Sequence, residues 1–327
     1  MGYRVVLISQ DGIFTGELSE AGRHFDEREI QPEYIAFPTF FNAHVHLNDA
    51  VALDPPRMAL DEMVGPGGYK FRVIWGRFHD ISHALRAALD LKDTSHFLEF
   101  REGGEEALRV LEAAGVDGVL PLARPGSIEE ARKIAGKVRG FALSSVRDHD
   151  VEFIEELRSF AKRKDLIFAI HAGEKDNEDV EGALSLEPDL LIHMNRARKD
   201  QLRMAMNEEV PIVSCIRSNF FFGLENMENY DILTEYHNWM IGTDNAMICS
   251  PSILDELSFA SFVMGREENL FAASLRGHII FGTQPRTALV EVKPFRFSEN
   301  FIHTLVRRVS SAHVSLQLPV FPEKFKL

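Results

Sequence analysis

Between residues 37 and 276 the chain repeats one pattern: a short apolar run, a polar turn, then an amphipathic stretch. Runs that are apolar throughout, rather than alternating, suit parallel strands covered on both faces. Strands are expected at about 39–47, 96–101, 118–123, 138–145, 166–171, 190–193, 211–216 and 239–243. Helices are expected between them. One spans Glu105–Ala114 and stops at Gly115, a common helix end. Ser127-Ile128-Glu129-Glu130 resembles a capping box with Ser127 as N-cap. Val151, Phe153, Ile154, Leu157, Phe160 and Ala161 form one stripe of a helix over 150–164. Further helices are expected over 176–186, 199–208, 228–236 and 252–264.

Alternating βα units make either a doubly wound sheet or a closed barrel. Eight units favour an α/β chain of the (β/α)8 TIM-barrel type, whose usual size is about 250 residues. No Gly-x-Gly-x-x-Gly follows an early strand, so a dinucleotide-binding fold lacks its main support. The ends differ from the middle. Residues 1–36 hold short strands and polar turns, and 279–282, 288–292 and 314–318 again look strand-like. The expected organisation is a barrel over 37–276 and a small β cap made jointly by 1–36 and 277–327. The segment 48–80, with Pro55-Pro56 and Gly65-Pro66-Gly67-Gly68, is long enough to be functional or mobile. It is either a lid over the site or a surface excursion.

Composition narrows the function. With 327 residues, no apolar run of spanning length and only Cys215 and Cys249 as thiols, the chain reads as a cytoplasmic protein without a disulfide framework. The start is too short in apolar residues for a signal peptide. A net charge of −14 without a basic tract argues against nucleic acid as a main partner. No membrane partner is expected. The sequence is silent on oligomeric state, and a homo-oligomer is compatible with it.

The chemistry sits at strand ends. His44 and His46 close the first strand, and residues two apart in a strand point to one face. His171 closes the fifth strand, His193 the sixth, and Asp244 follows the eighth. In a (β/α) barrel these carboxyl ends form the active-site face. One of the chain's 13 histidines alone would mean little; five such residues at matching strand ends are hard to assign to chance. Three imidazoles and a carboxylate suit a divalent first-row ion, zinc before iron. Such an ion lowers the pKa of bound water from 15.7 to about 7 and generates hydroxide. Asp244 could ligate it and accept the water's proton, and His193 could hydrogen-bond the developing oxyanion. Glu174, three residues after His171, could protonate a ring nitrogen if burial raised its pKa.

These residues bring out a resemblance. Phe41-Asn42-Ala43-His44-Val45-His46-Leu47, His171-Ala172-Gly173-Glu174, His193, Ser218-Asn219 and Gly242-Thr243-Asp244-Asn245 resemble the amidohydrolase superfamily. The likeness is greatest to its branch of cytosine and adenosine deaminases and chlorohydrolases. By that resemblance His44, His46, His171 and Asp244 bind one metal, Glu174 shuttles protons and His193 polarises. Binuclear members carry a bridging lysine on the fourth strand; here that strand reads Phe141-Ala142-Leu143-Ser144-Ser145. Arginines recur after strands, at Arg101, Arg124, Arg147, Arg196 and Arg217. Guanidinium binds carboxylate or phosphate in a fork, so Arg101, Arg124, Arg147 and Arg217, with Ser218 and Asn219, are expected substrate contacts. The alternative is that these arginines pair with loop acids such as Glu102 or Asp148. The expected activity is deamination of a cyclic amidine: a purine, pterin or pyrimidine-type heterocycle that can carry an anionic group. Hydrolysis of another C–N or C–Cl bond at the same metal is the second reading, and a non-catalytic scaffold the third.

Overall fold

The computed structural model describes residues 2–65 and 67–325; Met1, Pro66, Lys326 and Leu327 lie outside the described residues. The strands are β1 (Gly2–Ser9), β2 (Gly12–Ser19), β3 (Phe25–Glu27), β4 (Tyr34–Pro38), β5 (Phe40–His46), β6 (Thr94–Arg101), β7 (Val119–Ala123), β8 (Gly140–Leu143), β9 (Ile167–Ala172), β10 (Leu190–His193), β11 (Ile212–Ser214), β12 (Trp239–Ile241), β13 (Asp244–Asn245), β14 (Thr287–Glu291) and β15 (Val314–Leu318). They form a six-stranded sheet in the order β15-β14-β4-β1-β2-β3 and a nine-stranded sheet in the order β12-β11-β10-β9-β8-β7-β6-β5-β13. The chain divides into two compact units. One holds the described residues up to Asn42, Leu91–His96 and those from Ser252 onward; the other holds Ala43–Asp90 and Phe97–Pro251.

In the first unit, the six-stranded sheet joins both ends of the chain. β14 lies antiparallel to β4, which runs parallel to β1. Its core gathers Val5, Leu7, Leu18, Phe25, Ala36, Leu289, Leu318, Phe321 and Phe325. The expected strand at 279–282 is corrected here: Ile279 to Phe281 end the helix Glu267–Phe281. Leu270, Phe271, Ser274, Leu275 and His278 are its buried stripe, and Gly282 at φ 65° is its C-cap. The helical spacing of that stripe outweighs the β-preference of Ile279 and Ile280, because burial is decided by the whole face.

The nine-stranded sheet is parallel and curled, and each of its strands ends in the second unit. Phe168–Ile170, Leu190–Ile192, Ile212 and Val213 are fully buried, which explains their lack of alternation. Its last stretch bonds at both edges: β12 pairs with β11, whereas β13 pairs with β5 through Asp244↔Val45 and Asn245↔His46. Between them the Gly242 N–H donates to the Ser214 carbonyl and the Thr243 N–H to the His44 carbonyl, each at 3.0 Å. Helices stand where the pattern placed them, among them Gly104–Ala114, Ile128–Ile134, Val151–Arg163, Val180–Ser185 and Lys199–Asn207. Ser127 caps its helix by accepting from the Glu130 N–H at 3.2 Å. Two differences from expectation occur. The strand near 211–216 ends at Ser214, and a helix Ile216–Phe222 begins at once. The segment 48–80 is not a bare loop: it carries the helices Leu60–Val64 and Tyr69–Gly76.

Candidate metal centre and active site

Strand period and strand ends together bring the expected residues close to one another. His44, His46, His171, His193 and Asp244 are all under a tenth exposed. The His44 ring lies 4.9 Å, centre to centre, from both His46 and His171, and the His171 ring 5.4 Å from His193. Asp244 Oδ1 stands 3.3 Å from His44 Nε2 and 3.6 Å from His46 Nε2. Donor atoms of His44, His171 and His193, and those of His44, His46 and Asp244, fall within 4.8 Å of one another.

The neighbours fix which nitrogen faces the centre. His46 Nδ1 lies 3.2 Å from the Phe100 carbonyl and 3.1 Å from Glu102 Oε1. Both are acceptors, so Nδ1 carries the hydrogen and the Nε2 lone pair is free. His171 Nδ1 donates to the Leu143 carbonyl at 2.9 Å, with the same result. Such outer contacts orient a ligating imidazole and set its tautomer. Asp244 Oδ2 accepts from Ser218 Oγ at 2.5 Å and from Asn245 Nδ2 at 2.8 Å, leaving Oδ1 for the centre.

Two glycines explain local sequence. At Gly242 a Cβ would lie 2.8 Å from the His44 backbone, so only glycine lets this stretch approach β5 closely enough to deliver Asp244. Gly173 has φ 61°, and a Cβ there would lie 3.1 Å from Val180; it turns the chain off β9 so that Glu174 reaches the site. Strain sits here too. His193 at φ 76° and Asp244 at φ 62° are non-glycine residues in the left-handed region, a cost that clusters at functional positions.

The electrostatics suit a cation. Burial pushes the His44 pKa down to about 3 and that of His171 well below the usual imidazole range. Burial opposes ionisation of Asp244, yet its bond to His44 and the surrounding histidines hold its carboxyl well below the ordinary range. Neutral imidazoles and an ionised carboxylate converging in a buried site are the donor set a divalent ion takes. Glu174 differs. Burial raises its pKa, with His193 opposing and Asp244 adding; its Oε1 lies 3.5 Å from His193 Nε2.

A cavity of about 470 Å³ opens onto this centre, with His46, His171, Glu174, His193 and Asp244 in its wall. Leu60, Asp61, Val64, Gly65, Lys70 and Phe71 of the 48–80 segment line it as well. Of the arginines, Arg124 and Arg147 line the cavity; Arg101, Arg196 and Arg217 do not. Arg101 is buried against Glu99 at 2.7 Å and also bonds Asn48, and Arg217 donates to the Ser250 carbonyl at 2.9 Å. Arg147 pairs with Asp176 at 2.8 Å and Glu178 at 3.2 Å, not with Asp148. Ser218 and Asn219 also lie outside the cavity wall. Ser218 holds Asp244, and Asn219 Nδ2 donates to the Tyr230 hydroxyl at 2.8 Å.

Sequence reasoning missed a buried charge cluster behind His46. Lys70 Nζ lies 2.9 Å from Glu102 Oε1 and 3.3 Å from Asp49 Oδ2. Burial pushes Asp49 up to about 6 against the pull of Lys70, whereas Lys70, His46 and Arg124 hold Glu102 well below the ordinary range despite its burial. Glu102 follows a strand directly, a signal that could have found it. Lys70 has no such signal, since its partner is 32 residues away.

No protein-family model matches the chain. A protein of Archaeoglobus fulgidus described as a "Putative aminohydrolase" is 44% identical over 315 residues, covering 94% of this chain and 93% of that one. The guanine deaminase of C. acetobutylicum, solved with bound guanine, superposes with a TM-score of 0.73 at 13% identity over 97% of each chain. The atrazine chlorohydrolase of Arthrobacter aurescens TC1, solved with zinc, superposes with a TM-score of 0.72 at 13% identity, covering 96% of this chain and 92% of that one. The chain belongs to the family of that Archaeoglobus fulgidus protein, and its fold is shared with the two solved enzymes.

Proposed function

We propose that this chain is a mononuclear zinc-dependent deaminase of a cyclic amidine, with the curled parallel sheet as a (β/α)8 barrel over 37–276 and both termini as its cap. The double pairing of residues 239–245 supports the closed barrel, since one stretch bonds both edges. No helix among the described residues is long and apolar enough to cross a membrane, and we place the protein in the cytoplasm.

His44, His46, His171 and Asp244 would hold the ion. Zinc bound there supplies the Lewis acidity that makes water a nucleophile at neutral pH. Asp244 accepts a proton from the attacking water. Glu174, whose pKa burial raises, is the group that delivers a proton to the ring nitrogen as water oxygen bonds to the amidine carbon. His193 Nε2, beside Glu174, donates to the developing oxyanion. The proton on Asp244 then passes to the exocyclic amine, Glu174 regains one from the new hydroxyl, and the C–N bond breaks to release ammonia. A cavity of about 470 Å³ is in the range of small-molecule sites.

The observation that carries this reading is Glu174, a carboxyl with a raised pKa, 3.5 Å from His193 beside the imidazole–carboxylate cluster. The test is an ammonia-release screen of the zinc-loaded chain against purines, pterins, pyrimidines and their phosphates. The fold shared with a chlorohydrolase supports a second reading, hydrolysis of another C–N or C–Cl bond. Chloride release from a chlorotriazine without ammonia from any amine would favour it.

A further inference from the structure

The cavity wall carries four side chains of basic type beside the metal-centre histidines: Lys70, Arg124, Arg147 and Lys175, with the imidazole of His149 next to them. Most are already committed. Lys70 is held between Asp49 and Glu102, Arg147 between Asp176 and Glu178, and Lys175 against Asp61. Arg124 is not held in this way. Its single ion partner among the described residues, Glu102 Oε1, is 3.6 Å from its Nη1 and already serves Lys70 at 2.9 Å and His46 at 3.1 Å. Arg124 Nε is buried and has no hydrogen-bond partner, and the same holds for His149 Nε2.

A buried donor without a partner keeps its full desolvation cost, so such groups in a native site call for an explanation. Here two sit in one wall, after the neighbouring strands β7 and β8. They also oppose each other. Burial first, and the Arg124 charge second, push the His149 pKa down; the same charge is felt at His171. An oxyanion between Arg124 and His149 would accept from the guanidinium N–H and from His149 Nε2 in the tautomer that carries its hydrogen there, and would favour that ring's protonation against the Arg124 charge. A guanidinium fork matches the two oxygens of a carboxylate or phosphate.

We propose that Arg124 and His149 form a seat for an oxyanion substituent of the substrate, a carboxylate or a phosphate monoester, whose heterocycle lies at the metal centre. The naming of the heterocycle rests on the deaminase reading, whereas the seat itself can be tested without turnover. The committed partners of Lys70, Arg147 and Lys175 leave Arg124 as the cation whose charge is available to such a group.

Calorimetric titration of the zinc-loaded chain with inorganic phosphate and with acetate probes the seat directly. Binding of at least one is expected, at least tenfold weaker in both Arg124→Gln and His149→Gln, with Arg124→Lys intermediate. Which ion binds separates a phosphate substituent from a carboxylate. Two variants in different loops guard against one that fails to fold, and circular dichroism checks each. Affinity unchanged in both folded variants, as for an ion bound at the zinc alone, overturns the proposal, as does no binding of either ion. The second measurement compares heterocyclic amines with and without the oxyanion group. The ratio of their kcat/KM values is expected to favour the anionic member and to fall at least tenfold in Arg124→Gln; an unchanged ratio overturns the seat as a substrate site. Ion binding that depends on Arg124, together with no ammonia from any amine, would overturn the deaminase reading and leave the seat standing.

Discussion

Asp244 is held from behind: the Ser218 hydroxyl and the Asn245 amide fill one oxygen and aim the other at His44 and His46. Removing such an outer contact to a metal-binding carboxylate typically costs 10–100-fold in metal affinity or activity. Ser218→Ala is therefore expected to weaken metal retention by roughly tenfold or more, measured by competition with a chelator. Glu174 calls for the opposite outcome. Gln keeps its shape but has no proton to give, so Glu174→Gln is expected to retain the metal and lose about 10²–10⁴ in kcat, read by metal analysis beside an ammonia assay. Sequence alone exposed Glu174 and Asp244, because each sits a fixed step beyond a strand end. It did not show that Ser218 holds Asp244, because that bond spans 26 residues and leaves no local trace. Lys70 was hidden for the same reason. With Lys70 3% exposed and Glu102 11% exposed, Lys70→Met strands two buried carboxylates, and a loss of about 3–5 kcal/mol in chemical denaturation is expected.

At the scale of elements, the helix Glu267–Phe281 offers a pH-dependent handle away from the site. His278 Nε2 donates to the Thr39 carbonyl at 2.9 Å, and Nδ1 accepts from Thr283 Oγ1 at 2.8 Å. Both bonds suit the neutral ring, and burial lowers its pKa to about 3 from 6.5. In that window the unfolded chain binds a proton that the folded one does not, so stability falls as pH drops from 6.5 towards 3. Denaturant unfolding at pH 7 and pH 4 is expected to show a smaller loss between the two in His278→Gln than in the parent chain. An equal loss in both would contradict the assignment. The βα repeat was legible because buried parallel strands have a composition that little else shares. The end of this helix was not, because two adjacent isoleucines read as strand once the buried stripe before them is ignored.

For the molecule as a whole, distant stretches of chain bring imidazoles and a carboxylate into one cluster. The proposed ligands come from the ends of β5 and β9 and from β13, and residues 239–245 bond to both edges of the sheet where Asp244 arrives. The βα period made that convergence legible, since it puts every strand end on one face. The charge behind the site was not legible, since Glu102, Lys70 and Asp49 meet only once the 48–80 segment has folded. The most direct test is the metal content of the purified, zinc-loaded chain and of its His171→Ala and Asp244→Ala variants after dialysis, by elemental mass spectrometry. The account predicts about one zinc per chain in the parent and a large loss of it in both variants. A parent chain that retains no ion, or variants that retain it fully, would contradict the account.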